Sequence, residues 1–97
     1  MTVWFVSRHP GALAWAERSG IAFDHHVAHL DTATIAVGDT VIGSRPVNLA
    51  AEVCARGGEY WNLSLRLAAE DRRRELSADE MQSYDVTLKH CDVRKLP

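Results

Sequence analysis

Short unbroken apolar runs alternate along this chain with stretches in which apolar residues return every three to four positions. Val3-Trp4-Phe5-Val6 is the first such run, the pattern of a strand covered on both faces. Behind it, Ala12, Trp15 and Ala16 fall on one helical face. Pro10 suits the first turn of that helix, where its missing N–H is not needed, and Gly20 suits its stop. Residues 24–30 read as a second strand, with His25, Val27 and His29 on one side and His26, Ala28 and Leu30 on the other. Residues 31–39 form a connector ending in the turn signal Gly38-Asp39. Residues 40–43 are the third strand, and Val47, Ala50, Ala51, Val53 and Cys54 give the next helix a broad apolar face that Gly57-Gly58 ends. Residues 60–65 are the fourth strand, with Trp61, Leu63 and Leu65 on one face. A charged connector, 66–75, precedes Ser77-Ala78-Asp79-Glu80, whose spacing is that of a capping box and predicts a short helix from Ala78. Residues 86–93 alternate enough to add one edge strand or two. Strand–helix alternation of this kind predicts one α/β domain over residues 1–97, a three-layer fold with a mostly parallel central sheet.

Two of the strand-to-helix turns carry nearly the same residues. Val3-Trp4-Phe5-Val6 runs into Ser7-Arg8-His9-Pro10-Gly11, and Thr40-Val41-Ile42-Gly43 runs into Ser44-Arg45-Pro46. Each puts a hydroxyl and a guanidinium at the end of an apolar strand, where a helix begins. Ligands of open α/β sheets bind at this edge, beyond the carboxyl ends of the strands. The helix start contributes free N–H groups and positive dipole, and arginine a planar fork that matches phosphate. The expectation is a phosphate-handling site on which Arg8 and Arg45 converge. The shared residues are too few to make an internal duplication.

Composition narrows what such a site can serve. With 97 residues, 46% of them hydrophobic, the chain is globular with a small core. A twofold dimer would add burial. The formal net charge of −2 excludes a generally basic glove for duplex nucleic acid, so a polyanion must meet a local cluster of cations. Cys54 and Cys91 are too few for a disulfide framework and lack metal-type spacing; Cys54 reads as a buried thiol. No secretory signal and no membrane-length apolar stretch is visible, which reads as a cytoplasmic protein without a membrane partner.

Ser7, Arg8 and His9 bring three complementary functions to an oxygen-rich group. Serine donates a hydrogen bond, arginine neutralises charge on phosphoryl oxygens, and histidine moves a proton near neutral pH. The competing reading makes Ser7 a helix cap, Arg8 the partner of an acid such as Asp31, and His9 a solvated side chain. At the second turn Gly43 permits close backbone approach to a ligand, or serves the turn alone. Ser44 and Arg45 would bind the ligand there. Asn48 can offer its amide to a base or ribose hydroxyl, or bond within the first helical turn. Glu52 can pair with Arg45 or Arg56 and is given no catalytic role. His25, His26, His29 and Asp31 invite a metal reading, but alternate strand positions lie too far apart for one compact ion. Arg72-Arg73-Arg74 resembles a phosphate clamp, yet Glu70, Asp71 and Glu75 surround it, as in a self-paired solvated segment. Ser64 ends the fourth strand and can touch the same crevice. Trp4, Trp15 and Trp61 sit in apolar patterns and read as core. Neither GxGxxG nor GxxxxGK[ST] is present, and no acidic ladder for a two-metal nuclease, so the expected phosphoryl chemistry uses no metal or cofactor.

Several segments carry a family resemblance. Trp4-Phe5-Val6-Ser7-Arg8-His9-Pro10-Gly11, Val27-Ala28-His29-Leu30-Asp31, Gly38-Asp39-Thr40-Val41-Ile42-Gly43, Pro46-Val47-Asn48-Leu49-Ala50-Ala51-Glu52-Val53 and Arg74-Glu75-Leu76-Ser77 resemble the small Csx-type accessory proteins of type III CRISPR systems. That family is related to the CRISPR-associated Rossmann fold (CARF) domains. The resemblance implies a homodimer that binds cyclic oligoadenylate, above all the cyclic tetra-adenylate second messenger, and cleaves it as a ring nuclease. Histidine phosphatases are a rival, since they too place Arg-His-Gly after the first strand. Here Pro10 separates His9 from Gly11, and the chain is about half the length of such folds. A module that senses or sequesters the messenger without cutting it would carry the same Ser7, Arg8 and Arg45.

Overall fold

A computed structural model of the chain describes residues 1–64 and 86–96. Its strands are β1 (Val3–Val6), β2 (His25–Val27), β3 (Thr40–Gly43), β4 (Glu59–Ser64) and β5 (Thr87–Cys91), and its helices are α1 (Pro10–Arg18) and α2 (Val47–Ala55). They form one five-stranded sheet in the order β2-β1-β3-β4-β5. The first three pairings are parallel, while β5 runs antiparallel to β4 at the far edge. The chain is thus an α/β protein with a mostly parallel sheet, as its pattern predicts.

Strand periodicity explains how so short a chain fills two cores. Successive strand side chains point to opposite faces. Phe5, Ile42 and Leu63 join Ala12, Trp15 and Ala16 of α1 in one cluster, while Val6, Val41 and Tyr60 join Ala50 and Val53 of α2, with Ile35, in the other. Burying each large side chain contributes about 1.5–3 kcal/mol, so Phe5, Val41 and Val53, all fully enclosed, are the main supports. Gly20 (φ 74°) and Gly57 (φ 84°) end the two helices in the left-handed region that other residues avoid.

The second strand is shorter than its sequence pattern. It stops at Val27 because β1, its one neighbour among the described residues, ends at Val6, the residue paired with Val27. Beyond it the expected connector contains a turn of 3-10 helix, Thr32–Thr34, whose cap is Asp31. The fourth strand starts one residue early, where Glu59 pairs with Thr40, and β5 supplies a single edge strand. Leu65, the charged connector with its arginine run, the Arg74-Glu75-Leu76-Ser77 segment, the capping box and the helix expected from Ala78 lie outside the described residues. Among the described residues no helix is long and apolar enough to cross a membrane.

At the amino-terminal edge of the sheet, buried Asp39 ties β1 and β3 together. Its carboxylate accepts the backbone N–H groups of Thr2 and Ala36, each at 3.0 Å. Those bonds, that to Ala36 foremost, hold its carboxyl below the ordinary value of 3.8.

Candidate functional site

β1 and β3 lie side by side and in register, with Val6 opposite Gly43 as their last pair. From β1 the chain crosses to β2 on one side; from β3 it crosses to β4 on the other. Their carboxyl ends therefore flank the topological switch point, where an open sheet leaves a crevice. Ser7-Arg8 and Ser44-Arg45 follow the last pair in step, from strands about 4.8 Å apart.

The first turn is held by its backbone and leaves its side chains to solvent. Ser7 N–H donates to the Val27 carbonyl at 3.0 Å. His26 Nε2 lies 3.0 Å from the Ser7 carbonyl, which can only accept, so this nitrogen carries the proton. Ser7 Oγ accepts the His9 N–H at 3.1 Å and keeps its own proton to give. The helix cap is His9, not Ser7, and its side chain makes no capping bond. Arg8 and His9 are exposed. Asp31, the acid considered for Arg8, instead accepts the Ala33 N–H at 3.0 Å.

The second turn is knitted into the sheet. Ser44 Oγ donates to the Leu63 carbonyl, which commits its proton. Arg45 N–H donates to the Tyr60 hydroxyl at 2.9 Å. That hydroxyl lies 3.1 Å from the Gly43 carbonyl and 2.8 Å from Asn62 Oδ1, with one proton for the two acceptors. Asn62 Nδ2 then donates to Ser64 Oγ at 2.9 Å. Burial raises the Tyr60 phenol above its ordinary 10.0, against the lowering pull of the Arg45 N–H. Arg45 is half-buried, and its Nε is enclosed without a hydrogen-bond partner among the described residues. Pro46 caps α2 and offers no side-chain bond, while Asn48 stands exposed in the first turn of that helix. Gly43 has a reason internal to the fold, because a Cβ there would meet the Val6 carbonyl oxygen at 2.6 Å.

The remaining candidates go to structural roles. His25 packs its ring on Trp4, with centroids 4.8 Å apart. His29 is exposed. Among the described residues no group of three or more histidines, cysteines or acids is placed to hold a metal ion. Glu52 accepts from Thr32 Oγ1 at 2.7 Å. Cys54 is half-buried rather than fully buried, with Sγ 3.9 Å from the Cys91 carbonyl. Trp15 is core, and Trp4 and Trp61 pack half-buried at its margins.

Tyr60 and Asn62 shape this site although sequence reasoning gave them no role in it, and His26, weighed there only as a metal candidate, braces the first turn. Their signal was faint: a tyrosine at an apolar strand position needs a partner for its hydroxyl, and an asparagine inside a strand needs partners for its amide.

The fold and the turns define an α/β protein whose polar site lies at the switch point of a mostly parallel sheet. The chain belongs to the family described as "Putative CRISPR-associated protein (Cas_VVA1548)", whose model matches residues 4–94, both turns included. Comparison with curated proteins and with solved structures returns no match.

Proposed function

We propose that the protein is a metal-independent ring nuclease that binds cyclic oligoadenylate, above all cyclic tetra-adenylate, and opens it, switching off type III CRISPR signalling. One observation carries the reading: two Ser-Arg turns leave adjacent parallel strands in step at the switch point of a CRISPR-associated chain. On this reading the sheet with a helix packed into each core is a Rossmann-like, CARF-like three-layer domain. The working unit is a homodimer, because a twofold axis offers the same turns to both halves of a symmetric ring. Two copies each of Arg8 and Arg45 then answer the ring's phosphates despite the net charge of −2.

The reaction needs no outside nucleophile. A ribose 2′-oxygen attacks the neighbouring phosphorus, the bond from phosphorus to the 5′-oxygen breaks, and a 2′,3′-cyclic phosphate remains on the linear product. The 2′-hydroxyl gives up its proton and the departing 5′-oxygen gains one. Ser7, whose hydroxyl proton goes to no acceptor among the described residues, positions the phosphoryl group. Arg8 stabilises the charge that builds on its oxygens, and His9 moves the proton. Gly43, Ser44, Arg45 and Asn48 hold the ligand from the second turn, Ser44 by fixing the turn through Leu63.

The test is incubation with cyclic tetra-adenylate in the presence of chelator, followed by chromatography. Linear products ending in a cyclic phosphate are expected. Bound but intact ring would replace the reading with a messenger sensor, and phosphomonoester turnover through phosphorylated His9 would replace it with a phosphatase.

A further inference from the structure

We infer that the face of β4 and β5 beyond Tyr60 is a binding surface for the phosphodiester backbone of the nucleotide ligand, with Lys89, Ser64, Thr87 and Asn62 as its contacts. The inference rests on the ring-nuclease reading for the identity of that ligand. Register defines the face. Gly43 pairs with Asn62, and Asn62, Ser64 and Tyr60 pair with Lys89, Thr87 and Cys91. Paired residues share a face, so the four contacts lie on the Tyr60 side of the sheet.

That side is covered where Tyr60 meets Ala50 and Val53 of α2. Farther along, Asn62 is half-buried, and Ser64, Thr87 and Lys89 are exposed. On the opposite side of the same two strands Trp61, Leu63 and Leu88 pack in the α1 cluster, His90 stacks on Trp61 at 4.8 Å, and Glu59 stands exposed at the start of β4. Hydroxyl, amide and ammonium donors thus gather on the side that adjoins the Arg45 turn.

A run of hydrogen-bonding groups links the Arg45 turn to Ser64. Arg45 N–H gives to Tyr60, Tyr60 lies in reach of Asn62 Oδ1, and Asn62 Nδ2 gives to Ser64 Oγ. Ser64 accepts and so retains its proton, and the second Asn62 N–H, the Thr87 hydroxyl and the Lys89 ammonium add further donors. Donors and one cation beside the Arg45 turn complement a ligand that is anionic and rich in acceptors. Phosphodiester oxygens and ribose hydroxyls meet both conditions.

The experiment measures affinity of the full chain for cyclic tetra-adenylate over a salt series, with K89A, K89E and S64A beside wild type. Expected are a rise in Kd of about tenfold for K89E and, for K89A, a salt slope shallower by about 0.7. The single-turnover rate at saturating ligand should stay within about twofold of wild type, because these contacts bind ground and transition states alike. Wild-type binding with unchanged affinity and slope in all three variants overturns the surface and leaves the ring-nuclease reading intact. Linear oligoadenylate is the second probe. If the ring fails to bind but linear ligand binds in a Lys89-dependent way, the surface stands and the ring-nuclease reading falls; if neither binds, both fall.

Discussion

The two turns share a Ser-Arg pair, a following proline and a position on neighbouring strands, yet their surroundings differ. At the first turn the serine hydroxyl accepts from His9 N–H and keeps its proton, and the arginine stands in solvent. At the second the serine proton goes to Leu63, and the arginine backbone is pinned by a buried tyrosine. The cause lies in their neighbours. β1 faces β2, a three-residue edge strand, whereas β3 faces β4, which extends two residues past Gly43 and carries Tyr60, Asn62 and Ser64. The longer neighbour supplies groups that occupy the second turn. The first turn therefore leaves its polar groups unspent, and the second holds a fixed shape; on the proposed function the first acts on the substrate and the second meets the ligand.

If this division is right, damage to each turn should show in a different measurement. The largest effect is expected from Arg8→Ala, which should lower the single-turnover cleavage rate by about 10²–10³-fold with an unchanged melting temperature. An unaltered rate would remove the first turn from the chemistry. Gly43→Ala should instead cost about 1–3 kcal/mol of stability, because its methyl group meets backbone rather than a flexible side chain. In calorimetry a domain of this size loses about 4–8 °C per kcal/mol. Lost ligand affinity at full thermal stability would mean that the glycine faces the ligand and that the turns are more alike than argued.

Tyr60→Phe keeps the buried ring but strands three polar groups, and should cost about 1–3 kcal/mol. It also carries a pH signature. The phenol's raised folded-state pKa gives stability that is whole below its ordinary 10.0 and is lost as pH rises through the folded value. Denaturant titrations should show that alkaline loss in wild type and not in the variant. The smallest effect lies at the opposite edge of the sheet. Asp39, with its pKa depressed below 3.8, contributes stability that is full above that value and lost as pH falls through the folded one. Asp39→Asn should blunt this acid loss while the cleavage rate per folded molecule holds. A changed rate would tie the turns to the far edge and blur the contrast between them.

Much of this molecule was legible in its residues. The limits of β1 and β3, the start of α1 at Pro10 and the glycine stops of both helices all follow from local rules: unbroken apolar runs, proline tolerance and left-handed caps. The length of β2 did not, because a strand is only as long as its partner. Val27 is the last residue that β1 can pair, whatever alternation residues 28–30 carry. At the site, the sequence pointed to both Ser-Arg turns but missed the residues that set them apart. His26 and Tyr60 act 19 and 15 positions away from the residues that they hold. No local pattern records such distances.

By itself the sequence determined the strand–helix order, the apolar runs of β1 and β3, and the hydroxyl and guanidinium that follow each of those two strands. These are properties of a residue and its few neighbours, decided by periodicity and backbone preference. Only the tertiary structure decided which serine spends its proton, which arginine is enclosed and which face of β4 and β5 stays polar. Those outcomes depend on strand order and register, since a hydrogen bond forms with whatever donor or acceptor the adjoining strand brings within about 3 Å.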